Sequence, residues 1–303
     1  MPIRSCRRPA AAAIALACLA MAGCATYDRT KPAPPQTGPI AIHVLDDTLG
    51  LNDIPLGTYR VPDSQVVVSG RQQNAGAGVL FGIVGVLVAD AVVTHHTASA
   101  VSNAERVLHI HLGNELRADL GAQISDGALK GRYTLDKADG SSLDILPAVI
   151  LTYTDETHVR PFVELKVTLY DRNHAQVWDT RYFASTDYDR TMDGPGSWSD
   201  QDGAALKASI SASLRQAVHA MLKDVATPYA RDGKKITAMA SLPFATQRLQ
   251  IVGQDLDEDG RYVTFLPHIP DAITFAGVSV LDKRVVVFRP ATDKDQALVA
   301  LGT

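Results

Sequence analysis

An α+β fold, or a related α/β layering, is predicted: a mixed or antiparallel sheet packed with three helices, then a small C-terminal β-module. Three observations carry this expectation. Apolar residues alternate strictly through Val163, Leu165, Val167 and Leu169, as in a half-buried antiparallel strand. Apolar residues recur at three- and four-residue steps over Ala98 to Ile124, and again along Leu206, Ile210, Leu214, Val218 and Leu222, as on amphipathic helices. Short β-branched runs fill Ile236 to Pro290. The chain has 303 residues, 46% apolar and 20% charged, which suffices for a core and excludes a disordered chain.

The elements follow in order. Ile40 to Leu45 and Gln65 to Ser69 read as strands, with Pro55, Gly57 and Pro62 marking turns between them. Ala75 to Val93 is a glycine-rich apolar segment, the first of the three expected helices. Ala98 to Ile124 is the second. Ile145 to Tyr153, Phe162 to Tyr170 and Gln176 to Ala184 are expected strands, with Asp171-Arg172-Asn173-His174 as a hairpin turn. The third helix spans about Ala204 to Val225 and stops at Thr227-Pro228. The β-module is expected over residues 229–291, followed by a tail over 292–303.

Charge excludes some functions. Lys and Arg number 29 against 33 acids, a net charge of −4, so no basic surplus is available to hold nucleic acid. Aromatics at 6% argue against a base-stacking or sugar-binding strip.

The N-terminus sets the expected address. Arg4, Arg7 and Arg8 precede an apolar run from Ala10 to Ala22, too short to span a bilayer and suited to an export signal over residues 1–23. The run ends Leu19-Ala20-Met21-Ala22-Gly23-Cys24. This ending resembles the lipobox of bacterial lipoproteins, which implies an acylated (palmitate-bearing) Cys24. Met21 stands where the family usually has Leu. Ala25 is not the Asp that such families use for inner-membrane retention, so the resemblance implies an outer-membrane anchor facing the periplasm. The other reading is an ordinary signal peptide containing a cysteine. Removing residues 1–23, which hold three arginines and no acid, takes the charge to −7 and leaves Cys24 as the lone cysteine of 280 residues. No internal disulfide is then expected. Residues 24–39, with Pro32, Pro34, Pro35 and Pro39, read as a lipidated cysteine and flexible tether to a main domain over 40–228.

The order strand, glycine-rich helix, helix, meander, helix over Ile40 to Val225 is similar to envelope lipoproteins of the curli-secretion and TolB-N-terminal type. That resemblance implies a domain that assists an envelope machine without chemistry.

Candidate sites are few. Ala75, Gly78, Gly82, Gly85 and Ala89 would line one small-residue helix face. It could be a buried packing face, a seam for homo-oligomerisation or a membrane contact. Gly76-x-Gly78-x-x-x-Gly82 lacks the spacing of a dinucleotide fingerprint. Asp255, Asp257, Asp259 and Gly260 match the first half of a calcium loop, but its twelfth position is Leu266 rather than Glu. Calcium is therefore the one candidate cofactor, against a hairpin tip with solvated acids. His109 and His111 would point about 200° apart on a helix, so they cannot share a metal there. His95 and His96 read as surface residues. No nucleophile elbow occurs, and no catalytic residue is assigned.

The expected protein is a non-enzymatic outer-membrane lipoprotein whose periplasmic domain binds an envelope partner. The loop over 187–202 and the β-module are its candidate contact elements. A periplasmic cell-wall hydrolase and an oligomeric secretion-pore component are the alternatives.

Overall fold

The computed structural model describes residues 28–46, 54–55, 58–69, 98–99, 101–125, 127–135, 140–270 and 273–301. Strand β1 (Ile40–Val44) lies parallel to both β4 (Tyr133–Thr134) and β5 (Ser142–Tyr153). The hairpin of β2 (Thr58–Arg60) and β3 (Val66–Ser69) continues along β5, with Val66 opposite Val149 and Ser69 opposite Thr152. Strands β5, β6 (His158–Tyr170) and β7 (Gln176–Ser185) form an antiparallel meander, and β8 (Arg190–Thr191) pairs with the start of β6. The β6–β7 turn is built by Asp171, whose carboxylate accepts from the backbone N–H groups of Asn173 (2.8 Å) and Ala175 (3.0 Å).

The C-terminal strands are β9 (Lys235–Ala240), β10 (Leu249–Asp259), β11 (Tyr262–Pro267), β12 (Val278–Asp282), β13 (Val287–Pro290) and β14 (Leu298–Ala300). They extend the same sheet, because β12 runs parallel to β7 from Val278 opposite Tyr182 to Leu281 opposite Ser185. The principal order is β13-β9-β10-β11-β12-β7-β6-β5-β1-β4 within one sheet of 14 strands. The sheet is therefore continuous past residue 229, where the β-module was expected to begin. The expected tail contributes β14, paired with β10 from Leu249 to Ile251.

The fold is α+β. Two helices longer than one turn occur among the described residues, α2 (Gly113–Ile124) and α3 (Asp200–Ala226), rather than the expected three. The glycine-rich segment with Ala75, Gly78, Gly82, Gly85 and Ala89 lies outside the described residues. The single helix expected over Ala98 to Ile124 is broken. A short turn, α1 (Glu105–Leu108), precedes α2, and His109–Leu112 between them is not helical. Buried Gln65 explains the break. Its backbone N–H donates to the Ile110 carbonyl (2.8 Å), its side-chain oxygen accepts from Leu112 N–H (2.6 Å), and its own carbonyl accepts from Val149 on β5 (2.8 Å). The Ile110 carbonyl and the Leu112 N–H are thus satisfied by Gln65 instead of by a continuing helix.

Gln201, Asp202 and Gly203 at the start of α3 all have positive φ, so regular helix begins at Ala204. Its predicted stripe, from Leu206 to Leu222, is buried on β6 and β7. Together with Val163, Leu165, Val167 and Leu169 it forms the larger core. A second core lies on the other face. There Ile150, Phe162 and Phe183 meet Ile236, Ile251, Phe265 and Phe275. The half-buried strand expected at Val163 to Leu169 is therefore covered on both faces at its first half, and even Glu164 is buried.

Gly277 sits where β12 joins β7. Its φ is +144°, and an added Cβ would lie 2.5 Å from the Arg181 carbonyl oxygen. Gly277→Ala is expected to cost about 1–3 kcal/mol through strain and backbone displacement, read as a lowered urea midpoint in equilibrium unfolding. An unchanged midpoint would show that the seam relaxes freely.

Candidate functional site

The loop over 187–202 and the C-terminal strands meet at one surface. The loop is pinned from beneath. Fully buried Trp198 donates from Nε1 to the Val159 carbonyl (2.7 Å), and the Arg190 guanidinium lies 4.8 Å from its ring centroid. Arg160, itself buried, holds Asp189 at 2.5 Å. Asp200 accepts from the N–H groups of Gly196 and Gln201, both at 2.8 Å. These contacts leave Tyr188 standing out, 51% exposed, with the Arg284 guanidinium 5.7 Å from its ring.

Arg261, in the turn between β10 and β11, and Arg284, in the turn after β12, converge beside this loop. Asp282, on β12 and fully buried, accepts from Arg261 Nε (2.6 Å) and Arg284 Nη2 (3.0 Å). Each arginine also donates from Nη2 to the Thr186 carbonyl at 3.0 Å. Burial raises the Asp282 carboxyl above the ordinary aspartate range, and the hydrogen bond and charge of Arg261 oppose that rise. Arg261 stacks over Tyr262 at 5.1 Å. Both arginine side chains stay nearly half exposed, at 42% and 46%. The result is a rigid cationic and aromatic patch, the residue types that concentrate binding energy in interfaces. The sequence singles out the two elements, with Tyr188 as an aromatic among the acids of the loop, but not Arg261 or Arg284. The contacts to Thr186 join residues 75 and 98 positions apart, and no local pattern signals them.

A buried polar cluster closes the C-terminal end of α3. Asp224 accepts from Tyr182 Oη (2.9 Å), Arg231 Nη2 (2.8 Å) and the Tyr229 N–H (3.0 Å). Tyr133 Oη donates to the Leu222 carbonyl at 2.7 Å. Burial pushes the phenols of Tyr133, Tyr182 and Tyr229 upward, and the nearby Asp224 carboxylate adds to the effect.

The acidic run offered as a calcium candidate forms a hairpin, the other reading of the sequence. Asp255, Asp257 and Asp259 lie along β10, and Gly260-Arg261 turns the chain into β11 as a hairpin. A bulge between Asp255 and Asp257 breaks their alternation. Lys223 Nζ holds Asp257 at 2.6 Å, and Lys283 holds Glu258. Among the described residues no three His, Cys, Asp or Glu side chains gather closely enough to hold a metal ion. His109 and His111 fall in the break before α2. Cys24, His95 and His96 lie outside the described residues. No helix among those described is long and apolar enough to cross a membrane. Neither family models, curated proteins nor solved structures provide a match to this chain.

Two outcomes are expected. Asp282→Ala removes the carboxylate that both guanidiniums share and should cost about 2 kcal/mol in urea unfolding, since charged hydrogen bonds contribute on that scale. The raised phenols fix the sign of the alkaline response. An unfolded tyrosine ionises near pH 10, whereas the folded phenols stay neutral to higher pH, so stability present below about pH 10 is lost as pH rises above it. The thermal midpoint should fall above pH 10, and less steeply in Tyr182→Phe. Parallel curves for the two proteins would contradict this assignment.

Proposed function

We propose that the protein is a non-enzymatic outer-membrane lipoprotein, anchored through Cys24, whose periplasmic body binds an envelope protein partner. The single observation that carries the binding role is the patch of Tyr188, Arg261 and Arg284. Two arginines are held in place by one buried carboxylate and one carbonyl, so little side-chain entropy is lost when they engage a partner. Their chemistry suits a partner surface bearing carboxylates beside apolar groups. The anchoring role is supported by the arginine-led apolar run and its Ala20-Met21-Ala22-Gly23-Cys24 ending.

A photocrosslinking side chain at position 188, in intact cells, is expected to give a discrete adduct that is lost with Arg261→Ala and Arg284→Ala together. The same probe at Arg172, on the exposed β6–β7 turn, should give none. Identical adducts from both positions would remove the patch as the binding surface. Cys24→Ser should move the protein from the membrane fraction to the soluble periplasm, and retention in the membrane would overturn the lipid anchor.

A further inference from the structure

The stretch expected to act as a loose tether is bound to the body. Within it, Asp28 to Pro39 runs back along β7 and then past the start of β5. Thr180 Oγ1 donates to the Arg29 carbonyl (2.6 Å), and Trp178 Nε1 donates to the Lys31 carbonyl (3.0 Å). Arg29 Nε pairs with Asp179 at 3.3 Å. Asp28 caps its own turn, accepting from Thr30 N–H (3.0 Å) while its carbonyl accepts from Lys31 N–H (3.0 Å). Ala33 is buried in the larger core. Farther on, Ser141 Oγ donates to Gln36 Oε1 (2.5 Å), and Arg132 Nη1 donates to the Gln36 carbonyl (3.0 Å). The prolines therefore shape a strap rather than a free spacer.

We infer that this strap fixes the orientation of the body, holding the face that carries Asp28 to Lys31 and the Trp178–Thr180 stretch of β7 against the lipid headgroup layer. The inference rests on the lipid anchor at Cys24 proposed above. Only four peptide units separate Cys24 from Asp28, and fully extended they reach about 14 Å. A folded body of this size has a radius of gyration of about 19 Å and is roughly 50 Å across. A leash much shorter than the body cannot let it turn over, so the attachment face is the membrane face. The charges there are mixed, with Arg29 and Lys31 set against Asp28 and Asp179. The partner surface is accordingly the headgroup layer as a neighbour imposed by the anchor, not an electrostatic attraction to anionic lipid. It follows that binding of a periplasmic partner occurs with the body close to the bilayer.

The mature chain offers no cysteine beyond Cys24, so single labelling sites are clean. Spin labels would be placed at Lys31→Cys, whose native side chain is 71% exposed, and separately at Val287→Cys on β13. β13 lies five strands from β7 in the sheet order, beyond the second core. The full-length acylated protein is reconstituted into vesicles of phosphatidylethanolamine and phosphatidylglycerol doped with a nickel-chelating lipid. The relaxation enhancement at position 31 is expected to be at least fivefold that at 287. A 20-residue Gly/Ser insertion between Thr26 and Tyr27 should bring the two within twofold of each other. Equal enhancement without the insertion, or a stronger effect at 287, overturns the orientation. Mass spectrometry of the same preparation reads acylation of Cys24 independently. An unmodified Cys24 overturns the anchor reading itself, which is a different failure from an acylated protein that tumbles.

Discussion

The parallel ladder between β7 and β12 is the join on which the rest of the arrangement depends. It carries the C-terminal strands back across the meander and turns a sheet with one covered face into a sheet with two. Glu164 and Arg181 show what this entails. They point into the second layer with side chains at most 4% exposed and lie 3.3 Å apart. Arg181 also donates to the Thr274 carbonyl, in the segment just before β12. A buried pair of this kind stabilises little by itself, but it leaves an uncompensated charge in any other register. The pair therefore favours one register of β6 on β7, and the Arg181 contact to Thr274 ties the approach segment of β12 to that register. Gly277 supplies the backbone space beside Arg181.

The same join creates the patch of Tyr188, Arg261 and Arg284. Asp282 ends β12, and Thr186 follows β7 directly, so the parallel ladder sets the carboxylate and the carbonyl side by side. Arg261, from the β10–β11 turn, and Arg284, from the turn after β12, then share both acceptors. A surface assembled in this way belongs to the seam of two cores, and its stiffness comes from the fold rather than from its own loop.

The parts legible in the sequence were those set by local periodicity. The stripe of α3 and the alternation of β6 both follow from the apolar spacing, and the left-handed residues 201–203 leave regular helix to start at Ala204 as expected. Illegible features depend on distant partners. The break before α2 needs Gln65, 47 residues away from Leu112. The burial of Glu164 needs a layer contributed by residues beyond 235. The acidic run at Asp255 to Gly260 is consistent with a calcium loop by composition, whereas Lys223 and Lys283 engage two of its acids from separate elements. At the candidate surface, the two contact elements were visible as turn-rich or β-rich segments. Their arginines were not, because neither sits in a pattern that differs from an ordinary solvated cation.

The strap also determines where mechanical load would enter. A tug on the N-terminus passes first through the contacts at Trp178 and Thr180, on a strand shared by both cores, and then through Gln36 to Ser141 and Arg132. Force is thus delivered to the middle of the sheet instead of being absorbed by slack chain. Peeling the strap would strip Ala33 from the larger core before any strand separates. The attachments follow one another along the chain, from Arg29 and Lys31 on β7 through buried Ala33 to Gln36 at the start of β5, so the segment joins the body at several points rather than one.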